Sequence, residues 1–130
     1  MSLFSKLFKK KTTEVVFEKV EPIENATLET QNGLVTNFSE SDIDSCLQEM
    51  YEDADQFVTL TLEQARYGIR YVQACQVDNG ITVQLGIEKD ENTRLVEKVC
   101  SEEECRAIFH QFSGYGNVND LESYKPVEFF

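Results

Sequence analysis

The side chains with the widest chemical reach in this chain are Cys100, Cys105 and its single histidine, His110, set at even five-residue intervals. Two thiols and an imidazole are ligand types of a zinc site, and a cysteine with a histidine is also the raw material of a nucleophile and its base. The spacing works against both. Helix positions five apart point about 140 degrees away from each other, whereas zinc ligands converge, commonly from close pairs such as C-x-x-C. The apolar periodicity sets Cys105 with the core and His110 beside the more exposed face, so the ordinary reading is a buried thiol and a surface imidazole. Cys100 is the best placed nucleophile, because it precedes a helix N-terminus whose dipole favours a thiolate. A thiol-dependent enzyme resting on Cys100 and His110 is therefore the alternative to a non-catalytic protein. No catalytic residue, metal ligand or cofactor is assigned. The sequence holds no Gly-rich phosphate loop, no G-x-S-x-G and no H-E-x-x-H, and its carboxylates are too scattered to argue the pairing that glycoside hydrolysis needs.

Those carboxylates suit a different use. There are 24 acidic against 12 basic side chains in 130 residues, a net charge of -12, which excludes nucleic acid as an expected partner because phosphate neutralisation needs clustered Lys and Arg. Two anionic patches are expected. One is Glu49, Glu52, Asp53 and Asp55; the other is Glu88, Asp90 and Glu91 with Glu102, Glu103 and Glu104. Patches of this sign steer basic partners, so the expected partner is another protein with a basic surface; the plainer reading is a solvated face that keeps the protein apart from its neighbours. The cysteines Cys46, Cys75, Cys100 and Cys105 are read as free thiols, since no secretory segment is recognised and the chain is long enough to fold without staples. No stretch nears the roughly 18 apolar residues that span a bilayer, and the expected location is the cytoplasm.

The first eleven residues, MSLFSKLFKKK, have a composition of their own. They hold Lys6, Lys9, Lys10 and Lys11, leaving 8 basic against 24 acidic side chains for the rest. On a helix Leu3, Phe4, Leu7 and Phe8 would form one apolar stripe flanked by the lysines, the makings of a short interfacial helix that docks weakly on a membrane surface or a partner. A membrane-surface accessory protein is thus a further alternative.

Several elements must position these groups. Residues 12–38 read as a linker with one edge strand at Val15 to Val20, because Pro22, Asn25 and Asn32-Gly33 interrupt the register. Residues 39–130 read as a single α+β domain. Ser39 or Ser41 caps a helix near Asp42 to Asp53, with Ile43, Cys46, Leu47, Met50 and Tyr51 on one face. Phe57 to Leu62, the alternating run from Ile69 to Val77, its hairpin partner Ile81 to Ile87 after the Asp78-Asn79-Gly80 turn, and Arg94 to Val99 then give strands. Ser101 and Glu104 make a capping box opening a helix from Glu102 to Ser113. The expected fold is a four-stranded antiparallel meander from Phe57 to Val99 with both helices on one face, or a more closed, barrel-like sheet to which the tail adds a strand. That tail is too apolar to leave in water, and Lys125-Pro126 favours an extended path along the sheet or across the last helix.

The succession LVEK, SEEECRAIFHQF, a Gly-rich turn and YKPVEFF resembles the C-terminal pattern of small uncharacterised bacterial cytoplasmic proteins, some of them similar to immunity proteins of polymorphic toxin systems. The likeness covers roughly the second half of the chain and transfers no functional residue. It implies a compact acidic binder working through a surface, and the expected function is protein–protein binding, of an immunity or inhibitor kind.

Overall fold

Alternation of apolar and polar residues makes the strands. In the computed structural model, which describes residues 25–78, 80–89 and 92–127, β1 (Ala26–Thr30) and β2 (Gly33–Val35) precede α1 (Glu40–Glu52). They are followed by β3 (Phe57–Leu62), β4 (Ile69–Val77), β5 (Gly80–Lys89), β6 (Asn92–Cys100), α2 (Glu102–Tyr115) and a short β7 (Lys125–Pro126). All the strand pairs are antiparallel, and the order is β2-β1-β3-β4-β5-β6-β7. Register places Leu28, Leu60, Val72 and Leu85 in one row across the sheet and Val58, Ala74 and Val83 in the next, all buried. The intervening residues, among them Thr59, Gln73, Gln84 and Glu97, face the other way and are half-exposed. Both helices cover the first face only.

This overturns the expected four-stranded meander. The strands from Phe57 to Cys100 run consecutively, but they form the middle of a seven-stranded sheet. Asn32-Gly33, taken as a break, ends a two-residue hairpin loop, with Thr30 paired to Gly33 and the Asn32 N–H bonded to Thr30 Oγ1 at 3.1 Å. The loop residues are Gln31 and Asn32 and Gly33 opens β2, so the turn is offset by one from the Asn-Gly pair that signals a hairpin, and only a paired β3 tells strand from break. The other end gains β7, since Glu97 and Val96 pair with Lys125 and Pro126 and the Val127 N–H reaches Leu95 O at 2.9 Å. Proline is tolerated there because an outermost strand has a side with no ladder to complete. The segments Met1–Lys11 and Val15–Val20 lie outside the described residues.

The helices start where their caps dictate. Ser39 is the N-cap of α1 in a reciprocal box, its N–H bonding Asp42 Oδ2 at 2.8 Å while its Oγ accepts from the Asp42 N–H. Phe38 before it and Ile43 after it are both buried in the core, the arrangement of a hydrophobic staple. Ser101 caps α2 by accepting the Glu104 N–H at 3.1 Å, but the Glu104 carboxylate turns to Lys98 at 2.6 Å instead of completing the box. Gly116, left-handed at φ 81°, ends α2. Because α1 connects β2 to β3 across the intervening β1, it arches over the sheet, and its buried Ile43, Leu47 and Met50 meet Cys105, Phe109 and Phe112 of α2 in one core.

Candidate functional site

The two helices lie antiparallel: Glu40 and Asp44 of α1 meet Arg106 and His110 of α2, while the Tyr51 hydroxyl at the far end donates to Glu102 O at 2.9 Å. Each end concentrates charge in its own way. At the first end Arg106 forks onto Asp44, Nε to Oδ1 at 2.9 Å and an η nitrogen to Oδ2 at 3.1 Å. His110 stands between two carboxylates, Nε2 at 2.6 Å from Asp44 Oδ1 and Nδ1 at 2.9 Å from Glu40 Oε1. Partial burial would raise the Asp44 carboxyl, but the bonds from His110 and Arg106 outweigh it and hold it below the usual carboxylate range. The bond to Asp44 raises the His110 imidazole above its ordinary value; partial burial opposes the rise and Glu40 adds to it. Both ring nitrogens are engaged, so His110 has no free nitrogen with which to act as a base.

His110 therefore lies away from the thiols it was weighed with. Cys105 is fully buried under α2 and Cys100 nearly so. Burial pushes the Cys100 thiol up to about 11, with Glu104 adding and Lys98 opposing; it pushes Cys105 up to about 12 despite the Tyr51 hydroxyl beside it. Desolvation here defeats the dipole argument for a Cys100 thiolate. Cys46 and Cys75, half-buried, are likewise raised by burial. Among the described residues no group of three His, Cys, Asp or Glu side chains could hold a metal ion, and no described helix is long and apolar enough to cross a membrane.

At the second end, where the Tyr51 hydroxyl joins α1 to α2, Glu49, Glu52, Asp53 and Asp55 lie at the end of α1 and Glu102 and Glu103 at the start of α2, all exposed. Among the described residues none of these is in an ion pair. The grouping differs from the expected one, in which Glu102 and Glu103 went with Glu88. Ile81 of β5 pairs with Cys100, two residues before Glu102, and Glu88 lies seven residues further along β5, roughly 23 Å away at about 3.3 Å per residue. Glu88 is instead paired with Arg70 at 2.9 Å. Asp90 and Glu91 lie outside the described residues, as do the lysines and apolar side chains of Met1–Lys11. Glu104 is taken by Lys98, whose ammonium also sits 4.8 Å from the ring centre of the buried Tyr124.

Sequence reasoning missed Gln76. From β4 its amide donates to Met50 O at 2.5 Å and Tyr51 O at 2.7 Å, joining the Asp53 N–H on Met50 O in covering the last carbonyls of α1. It also missed the Glu40, Asp44, Arg106 and His110 cluster. A trace existed in the pattern, acidic residues four apart on one helix and basic residues four apart on the other, but nothing local says the helices are neighbours.

The face of the sheet opposite the two helices carries a shallow depression of about 450 Å³ lined by Glu29, Phe57, Thr59, Thr61, Tyr71 and Gln73. The Tyr71 ring lies against Gly86 on the paired strand, where any Cβ would collide with it. These groups do not converge on a reacting centre. Comparison of the chain with protein-family models, with curated proteins and with solved structures finds no match.

Proposed function

We propose that this protein acts by binding another protein and that the partner presents a basic surface to the acidic end of the helix pair. The observation that carries this reading is the gathering of Glu49, Glu52, Asp53, Asp55, Glu102 and Glu103 at one end without a cationic partner among the described residues. At the last turn of α1, which contains no basic residue, negative charge opposes the helix dipole; Glu52 and Asp53 accept from neutral groups, Gln48, Gln56 and the Asp55 N–H, which leave their charge in place, and their field extends outward. Such a field accelerates encounter with a positively charged protein and fades as salt rises, with a screening length of about 8 Å at physiological ionic strength. An immunity or inhibitor role, in which the partner is a basic toxin, is the narrower form of the same reading and rests on the C-terminal resemblance.

The test compares the full chain with a variant carrying Glu49→Lys, Glu52→Lys and Asp55→Lys, both used as bait in host extract at low salt. The expected outcome is a stoichiometric basic protein on the first bait, reduced at least tenfold on the second and released by salt, with unchanged circular dichroism. Recovery of no stoichiometric partner, or equal recovery on both baits, would overturn the reading.

A further inference from the structure

The His110 site contains more hydrogen-bond demand than a neutral ring can meet. A neutral imidazole carries one N–H, whereas an imidazolium carries two. His110 has carboxylate oxygens at hydrogen-bond distance from both nitrogens, 2.6 Å to Asp44 and 2.9 Å to Glu40. Asp44 already accepts two bonds from Arg106, which fixes it as an ionised acceptor. Glu40 is well exposed, with 62% of its side chain open to solvent. A carboxylate oxygen at each ring nitrogen is met in full only by a ring with two donors.

We propose that His110 is a proton-controlled clamp between α1 and α2: as imidazolium it donates to Glu40 and Asp44 together and ties the helices side by side, and on losing its proton it surrenders one of those bonds and loosens α1. The groups that meet it are Glu40 and Asp44 from α1 and Arg106 from its own helix. The α1 dipole acts on the carboxylate side of the clamp, because Glu40 lies in the first turn of α1, where an anion is favoured. Deprotonation also removes the charge separating Glu40 from Asp44, which are four residues apart on one helix face and repel. Among the described residues Arg106 then remains the single cation paired with α1 at this end. The helix that loosens carries Ile43, Leu47 and Met50 in its buried face, so the proton on His110 governs how firmly the core is closed near neutral pH. A folded-state pKa raised above the unfolded value means that the clamp's contribution is complete below the ordinary histidine value of about 6.5 and is lost as pH rises through the higher folded value.

Since the chain has one histidine, its ring proton resonances can be followed by NMR in the full-length protein without any substitution. The expected midpoint lies above about 6.5 and falls in Glu40→Gln by about half a unit or more, roughly a threefold change in proton affinity. A midpoint at or below 6.5, or one that Glu40→Gln leaves in place, would overturn the clamp. A second measurement uses urea unfolding of the wild type and His110→Gln. Their difference in midpoint is expected to be largest near about pH 6 and to shrink toward about pH 9, the thiols that titrate higher being common to both proteins. A difference that stays constant over that range would reduce His110 to an ordinary packing residue and defeat the proposal.

Discussion

The two ends of the α1–α2 pair use charge in opposite ways. At the end of Glu40, Asp44, Arg106 and His110, every one of the four side chains has an acidic or basic partner across the helix interface within 3.1 Å. At the end of Glu49, Glu52, Asp53, Asp55, Glu102 and Glu103, like charges gather, and the satisfying contacts come from neutral groups, Gln76 on the α1 carbonyls and Tyr51 on Glu102 O. The first end spends its electrostatics inside the fold. The second leaves its field to solvent and to whatever meets it, so charge count alone says little about function until pairing is known.

The largest expected effect removes the platform both ends share. Phe109 is fully buried where α2 meets α1 and the sheet, and Phe109→Ala is expected to cost about 3–5 kcal/mol, read as a lowered urea midpoint with the slope unchanged. Next comes the paired end. Asp44→Ala leaves Arg106 and His110 with Glu40 alone; a third of the Asp44 side chain is exposed (34%), so the value for charged hydrogen bonds is discounted to about 1–2 kcal/mol. Because the folded Asp44 carboxyl is lowered, its contribution is present above the unfolded value and disappears as pH falls through the folded one. The penalty of Asp44→Ala should therefore shrink in acid, where the wild type loses the same bonds.

At the acidic end Gln76→Ala uncovers the Tyr51 carbonyl and leaves Met50 O with the Asp53 N–H alone, at a cost of about 1–2 kcal/mol, visible as faster amide exchange in the last turn of α1. A substitution that merely reverses charge there should do the contrary. Glu49→Lys puts a cation near the C-terminal end of α1 and is expected to stabilise by about 0.3–1 kcal/mol while weakening capture of a basic partner. If Glu49→Lys destabilised by as much as Asp44→Ala, the contrast between the ends would be lost. The smallest effect is chemical: a thiol reagent at neutral pH should find no cysteine faster than a free thiol, because burial raises Cys46, Cys75, Cys100 and Cys105 alike.

Local signals were most legible where one residue answers to its immediate neighbours. Ser39 and Ser101 cap their helices from the side chain three residues ahead or the amide it carries, and the alternation in Ile81 to Ile87 marks a strand whichever partners flank it. Residues 33–35 were illegible for the opposite reason. Gly33, Leu34 and Val35 are all exposed, so β2 carries no burial pattern, and it becomes a strand only because β1 is itself held by β3. Likewise two residues of β7 cannot announce themselves; they are strand because β6 offers a free edge.

By itself the sequence determined the acidic balance, the helix caps, the apolar face of each helix and the strands that alternate, all of which depend on spacings of two to four residues and on side-chain chemistry. Only the tertiary structure decided that the sheet has seven strands, that Glu102 joins the end of α1 while Glu88 lies at the other end of the sheet, and that His110 sits between two carboxylates rather than in water. These outcomes turn on which elements become neighbours. Adjacency is set by burying one apolar face per element in a common core, and that burial brings together residues as far apart in sequence as Glu40 and His110, whose mutual attraction no local pattern contains.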